Sequence, residues 1–336
     1  MTEPRSDLTV VPVRRLVESP VDVVFALAPG DRSIVEVGDS VVIGAPIAER
    51  LRDARLEEVS IVSATEPLPG ARWARDGGSA PAGVHRTEAE GELLFAWRGK
   101  WRLATGDVPD PLEAPLAGIV REVKPGTSMT LRATGRGIRG IVTLGGPTRG
   151  RLRLATGATG GLRPGGLDVG LAGTILVVGT RIDAETLTRA RAMGIRGVVV
   201  ASLASKERRD FIASEARQRA ALHRLPPYAV LIMDGATRRP MAGPLMDIFE
   251  MLAGREVAIV GDPPMLVFDE PDLVLPAPSP DIVRVRAGAL LGREGRWLGA
   301  AGPRRFDGDV HLESGRIRLD DGTVATVAIG DLERFG

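Results

Sequence analysis

The side chains that most often carry catalysis or hold metals are scarce in this chain and widely spaced. It has no cysteine, which removes disulfides, thiolate metal ligands and a thiol nucleophile together. Its three histidines, His85, His223 and His311, stand far apart, without the H-x-x-x-H or H-E-x-x-H spacing that sets two imidazoles on one helix face. No metal site and no cofactor is therefore expected. A phosphate-binding G-x-x-x-x-G-K-[ST] run and a G-x-S-x-G nucleophile elbow are both missing, and the Gly-rich run from Gly157 to Gly166 precedes an apolar strand instead of following one. What remains for small-molecule chemistry is a set of polar residues just after short apolar runs: Thr180, Ser202 and Asp234. In an open α/β sheet such positions lie at the strand carboxyl ends, where ligands bind.

The stronger chemical signal is electrostatic. The formal net charge of +1 hides an uneven distribution: residues 1–60 carry 7 basic and 11 acidic side chains, whereas residues 116–163 carry 9 basic and only Glu122 as acid. Two explanations fit. Arg136, Arg139, Arg149 and Arg151 form an anion-binding face for a nucleic acid or other partner, or the stretch is a solvated strand surface that faces the acidic residues 1–60. A second concentration of arginine, Arg284, Arg286, Arg293, Arg296, Arg304 and Arg305, falls in the first half of residues 281–336.

At 336 residues the chain is long enough for two or three domains of ordinary size. Its longest apolar runs, such as Gly173 to Val178 and Gly197 to Ala201, fall far short of the roughly 20 residues of a membrane span. The N-terminus mixes Glu3, Arg5 and Asp7 and leads into no apolar signal segment, so a cytoplasmic location is expected. Asparagine is absent, Gln218 is the only glutamine and lysine occurs only at 100, 124 and 206. Loss of thermolabile side chains points to a thermophilic bacterium, although arginine over lysine equally fits a GC-rich genome.

The elements that must position these residues divide into three. From 8 to 165, short β-branched runs alternate with turns at Gly30-Asp31, Gly38-Asp39 and Gly44-Ala45, the pattern of a small β domain. The P-G-D, V-G-D-S-V and G-A-P-I-A-E order, echoed in Ala114 to Val120 and Val123 to Thr127, resembles the two halves of the barrel-sandwich hybrid of biotinyl and lipoyl domains. That resemblance implies a flattened barrel but no carrier function. No lysine precedes Lys100, and Lys124 leads into the Pro125-Gly126 turn instead of sitting at its tip. Residues 76–92 read as an inserted loop, and Trp97 and Trp101 as neighbours on one strand from Leu93 to Leu103, in the core or as a stacking platform.

From 166 to 272 the period changes to alternating strands and helices. Gly173–Val178, Gly197–Ala201, Tyr228–Met233 and Glu256–Val260 read as strands, with helices over Asp183–Met193, Lys206–Leu222 and Pro244–Leu252, which predicts a parallel sheet covered by helices. A proline-rich linker, Leu275 to Pro280, precedes residues 281–336, which are expected to fold on their own. There Val283, Val285, Gly288, Gly292 and Gly295, followed by Trp297, resemble the KOW motif of the elongation factor NusG and certain ribosomal proteins. The resemblance implies an SH3-like barrel that contacts RNA, a ribonucleoprotein or a polymerase and carries no chemistry. The fold class expected is therefore multidomain α/β plus β. The expected role is a non-enzymatic adaptor that contacts its partner through this barrel and the Arg-rich β face, using Arg136, Arg139, Arg149, Arg151, Arg284, Arg293, Arg296, Arg304 and Arg305. The alternative is a sensing or enzymatic α/β domain using Thr180, Ser202 and Asp234.

Overall fold

The computed structural model of the chain describes residues 6–27, 32–50, 110–221 and 227–336, together with short strands between 57 and 104. The described chain is β-rich, with three α-helices. None of them is long and apolar enough to cross a membrane.

An eight-stranded sheet forms the centre. Its order is Arg136–Arg139, Met265–Phe268, Glu256–Val260, Thr148–Leu154, Thr174–Val178, Gly197–Val200, Ala229–Ile232 and Val142–Gly145. The four strands from Thr148–Leu154 to Ala229–Ile232 run parallel, and antiparallel strands extend the sheet on both sides. Glu256–Val260 is therefore not part of the parallel set. Only residues 261–264 link it to Met265–Phe268, a connection that suits a hairpin and is too short for a crossover. Helices α1 (Ala184–Ala192) and α2 (Ser205–Ala221) cover one face through Leu187, Ala190 and Phe211. Helix α3 (Gly243–Leu252) covers the other through Leu245, Ile248, Phe249 and Leu252. Strands buried on both faces read as unbroken apolar runs, which is why Thr174–Val178 and Ala229–Ile232 stand out in the sequence.

The central sheet draws strands from 136–154, on the far side of the boundary expected at 165. Alternating arginines there resemble a solvent-facing strand, yet Ile138 and Leu152 are fully buried in the core shared with α3. The preceding β module pairs Val21–Ala26, Ser128–Ala133, Gly118–Lys124 and Ser40–Val41 in one sheet and Asp110–Glu113, Pro46–Arg50 and Arg32–Ser33 in another. Its core of Val23, Phe25, Ile47, Leu131 and others also takes in Val260, Met265 and Val267 of the central sheet, so the two units share one apolar cluster. Most of the expected loop 76–92 lies outside the described residues, apart from strand His85–Thr87, which pairs with Ile61–Ser63. Glu92–Trp97 and Lys100–Ala104 form a hairpin instead of a single strand, so Trp97 and Trp101 belong to different strands.

The last sheet has the order Val13–Arg14, Leu332–Phe335, Ile282–Val285, Glu294–Phe306, Val310–Leu319 and Val324–Ala328. It is not self-contained within 281–336. Val13–Arg14 adds a parallel edge strand to Leu332–Phe335, and Leu8 and Val11 enter the core with Val283, Val285, Trp297, Ile317 and Leu332. Nothing local in residues 8–14 announces this, because the pairing joins the two ends of the chain.

Candidate nucleic-acid interface and a strand-end crevice filled from within

Thr180, Ser202 and Asp234 do converge at the carboxyl ends of the parallel strands. Each follows one of three neighbouring strands, and the Ser202 hydroxyl donates to the Thr180 carbonyl at 2.7 Å. All three are buried, and their polar atoms face the chain's own groups. The Gly-rich run lies across the first strand end: the Gly179 amide donates to Thr156 Oγ1 at 2.9 Å, and the Thr180 amide to the Gly160 carbonyl at 2.7 Å. A Cβ on Gly179 would sit 1.9 Å from the Gly157 carbonyl oxygen, so this loop closes down on bare backbone and leaves no room for a phosphate.

Asp234 is occupied by two guanidinium groups. Arg14 Nη1 donates to Asp234 Oδ1 at 2.6 Å, and Arg284 Nη2 donates to Asp234 Oδ2 at 3.0 Å and to the Pro240 carbonyl at 2.5 Å. Glu333 completes the cluster, 3.5 Å from Arg284 Nη1 and 3.9 Å from Arg14 Nη1. Burial alone pushes the Asp234 carboxyl up, but Arg284 and Arg14 outweigh it and hold the group below the ordinary carboxylate value. Glu294 lies at the rim, accepting from the Gly243 amide at the start of α3 at 2.8 Å, and burial pushes its carboxyl up. Arg284, expected on a partner surface, is instead 1% exposed and locks the C-terminal sheet onto the central one. It alternates with Val283 and Val285, which face the opposite way into the C-terminal core. A strand covered on both faces buries its polar residue as well.

Five of the eight arginines of residues 116–163 are also engaged, whereas Arg121, Arg153 and Arg163 are exposed with no ion-pair partner among the described residues. Arg139 forms a bidentate pair with Glu18, both bonds at 2.7 Å, and Arg132 does the same with Asp22. These hydrogen bonds hold Glu18 and Asp22 below the ordinary carboxylate range. Arg136 donates to the Glu270 and Leu273 carbonyls at 2.7 and 2.9 Å, with its guanidinium 5.1 Å from the centre of the Phe268 ring. Arg149 and Arg151 lie 3.5 and 3.9 Å from Glu256. The acidic N-terminal segment thus faces part of this basic stretch.

In the C-terminal sheet, Arg293 donates to Asp321 at 2.8 Å, and Arg305 pairs with Asp309. Arg296 and Arg304 are exposed and have no carboxylate partner among the described residues. Two further arginines share that condition, Arg316 and Arg318. The alternation in Arg316-Ile317-Arg318-Leu319 carried the signal for them, since the apolar members must face the core. Arg14, Arg239 and Glu333 carried no such signal, because only tertiary contact makes them part of the buried cluster. Compared with known proteins, the chain matches no family model and no curated protein sequence.

Proposed function

We propose that this protein is a non-catalytic adaptor that contacts RNA, or an RNA-bearing transcription or translation assembly, through a KOW-type C-terminal barrel. The observation that carries this reading is a contrast between two places. The strand-end crevice, where an α/β protein would hold a ligand, is filled by the Gly157–Gly160 backbone and by the guanidinium groups of Arg14 and Arg284. The C-terminal sheet instead leaves Arg296 and Arg304 exposed and without a carboxylate partner among the described residues.

The arrangement of the KOW-like run supports the same reading. Gly288 and Gly292 take positive φ values of 76° and 82° in the turn between Ile282–Val285 and Glu294–Phe306, a backbone region that disfavours any side chain. Gly292 also seats against Arg239 and Pro240, so this turn is used to dock the barrel, and its free surface lies further along the hairpin. The test is affinity purification of the full chain from native cells with and without nuclease. Recovery of an RNA or ribonucleoprotein that nuclease depletes is expected. Recovery of no macromolecule under either condition contradicts the reading.

A further inference from the structure

The longest hairpin of the structure sorts its side chains by face. Glu294–Phe306 and Val310–Leu319 are antiparallel, directly opposed residues share a face, and each strand alternates. Both register shifts fall in the first strand, where Leu298 and Ala301 are the extra residues, so Val310–Leu319 alternates without interruption. Arg316 and Arg318 therefore lie on one face with Ser314, Leu312 and Val310, while Ile317 and Leu319 point into the core, in agreement with their burial. Ser314 is the exception on the outer face, fully buried with its hydroxyl donating to the Gly302 carbonyl at 2.7 Å. The register adds Arg296, opposite Arg318, Arg304, opposite Leu312, and Phe306, opposite Val310. Arg305, His311 and Glu313 fall on the reverse face.

Arg296, Arg316 and Arg318 thus cluster on one face where the hairpin joins the sheet, and Arg304 lies on the same face further along the ribbon, beyond the buried Ser314. None of the four has a carboxylate partner among the described residues, a condition they share with the scattered exposed arginines Arg121, Arg153 and Arg163, whereas Arg132, Arg139, Arg149, Arg151, Arg293 and Arg305 are paired. Arg296 and Arg318 stand directly opposite each other, a like-charge pairing that costs stability and that a bound anion would relieve. The nearest acid along the first strand, Glu294, turns away to the Gly243 amide. At the far end of the ribbon, Val310 and Leu312 are 48% and 42% exposed beside Phe306.

We propose that this face binds single-stranded RNA, with phosphates on the four arginines and a base against Phe306 and its apolar neighbours. Arg316 and Arg318, two residues apart on one strand, stand about 6.6 to 6.8 Å apart along it, a step comparable to that between phosphates of an extended single strand, with Arg296 beside Arg318 on the neighbouring strand. An aromatic ring at the end of a basic face is the arrangement that holds unpaired bases without reading their sequence. A duplex fits less well, since the deep major groove of A-form RNA excludes side chains and pairing hides the base faces.

The inference rests on the adaptor reading and sharpens it to one surface and one form of RNA. It is tested by fluorescence anisotropy of the purified full chain with a labelled single-stranded RNA and the matching duplex, across a salt series. The wild type is expected to favour the single strand. Double replacement R316A/R318A should weaken binding by at least about tenfold and make the log–log salt slope shallower by about 1.4. Phe306→Ala should weaken it by about tenfold without changing the slope. The control R132A/R139A, which removes arginines already paired to Asp22 and Glu18, should bind as the wild type does. Circular dichroism melts should show all variants folded. A preference for the duplex, no binding at about 50 mM salt, or equal losses in the control and R316A/R318A would each overturn the inference. If that happens while the native chain still retrieves a nuclease-sensitive assembly, the adaptor reading stands and only this surface falls.

Discussion

Asp234 is the residue on which the packing of the C-terminal sheet against the central one turns. Its carboxylate holds Arg14 from the N-terminal strand and Arg284 from the C-terminal sheet, and Arg284 is fully desolvated. Removing one partner of such a cluster leaves a buried charge uncompensated. Asp234→Asn is therefore expected to destabilise the protein by about 3 kcal/mol in denaturant titration. The pH dependence has a definite sign. The folded-state pKa of Asp234 is depressed, so its contribution is complete at neutral pH. It fades as pH falls below the ordinary value of 3.8 toward the lower folded value, and Asp234→Asn should flatten that acid limb. Glu294 acts in the opposite sense: its folded pKa is raised above 4.5, so its ionisation costs stability as pH rises past it. In the sequence Asp234 is visible as a polar residue after an apolar strand, a position that suits a ligand. That its ligands are two of the chain's own arginines was not legible, because Arg14 lies 220 residues away.

Among the elements, the long hairpin links the fold most directly to the proposed function. Trp297 is 1% exposed and packs against Gly315 on the neighbouring strand, where a Cβ would lie 2.0 Å from the ring atom Cζ3. Gly315→Ala should force the ring aside, cost about 2 to 3 kcal/mol and lower the melting temperature, while leaving the exposed arginines chemically intact. An unchanged melting temperature would show that the core is looser than this packing implies. Strand and helix types were largely legible here and in the central sheet, since Val283 and Val285 alternate into the core and the apolar runs at 174–178 and 229–232 are buried throughout. Strand direction was less legible. Thr148–Leu154 carries three arginines yet occupies the sheet interior, and its neighbour Glu256–Val260 runs against it.

For the whole molecule, the chain is less divisible than its proline linker suggests. Leu8, Val11 and Val13–Arg14 complete the C-terminal sheet, and Gly292 seats against Arg239 and Pro240. Truncation after Pro280 would strip the partner from the N-terminal strand, expose Leu8 and Val11 and leave Asp234 with Arg14 alone. The truncated chain is therefore expected to melt at a clearly lower temperature than the full chain, and an unchanged melting curve would argue against this coupling. Hydrophobic pattern made each sheet readable, but closure between distant segments depends on geometry that no local pattern encodes. The adaptor account is tested most directly by ultraviolet crosslinking of the full chain to RNA in native cells, with the crosslinked peptides mapped by mass spectrometry. Crosslinks are predicted within residues 294–319, on peptides that carry Arg296, Arg304, Phe306, Arg316 or Arg318. Crosslinks concentrated instead around Thr180, Ser202 and Asp234, or no RNA attached at all, would contradict it.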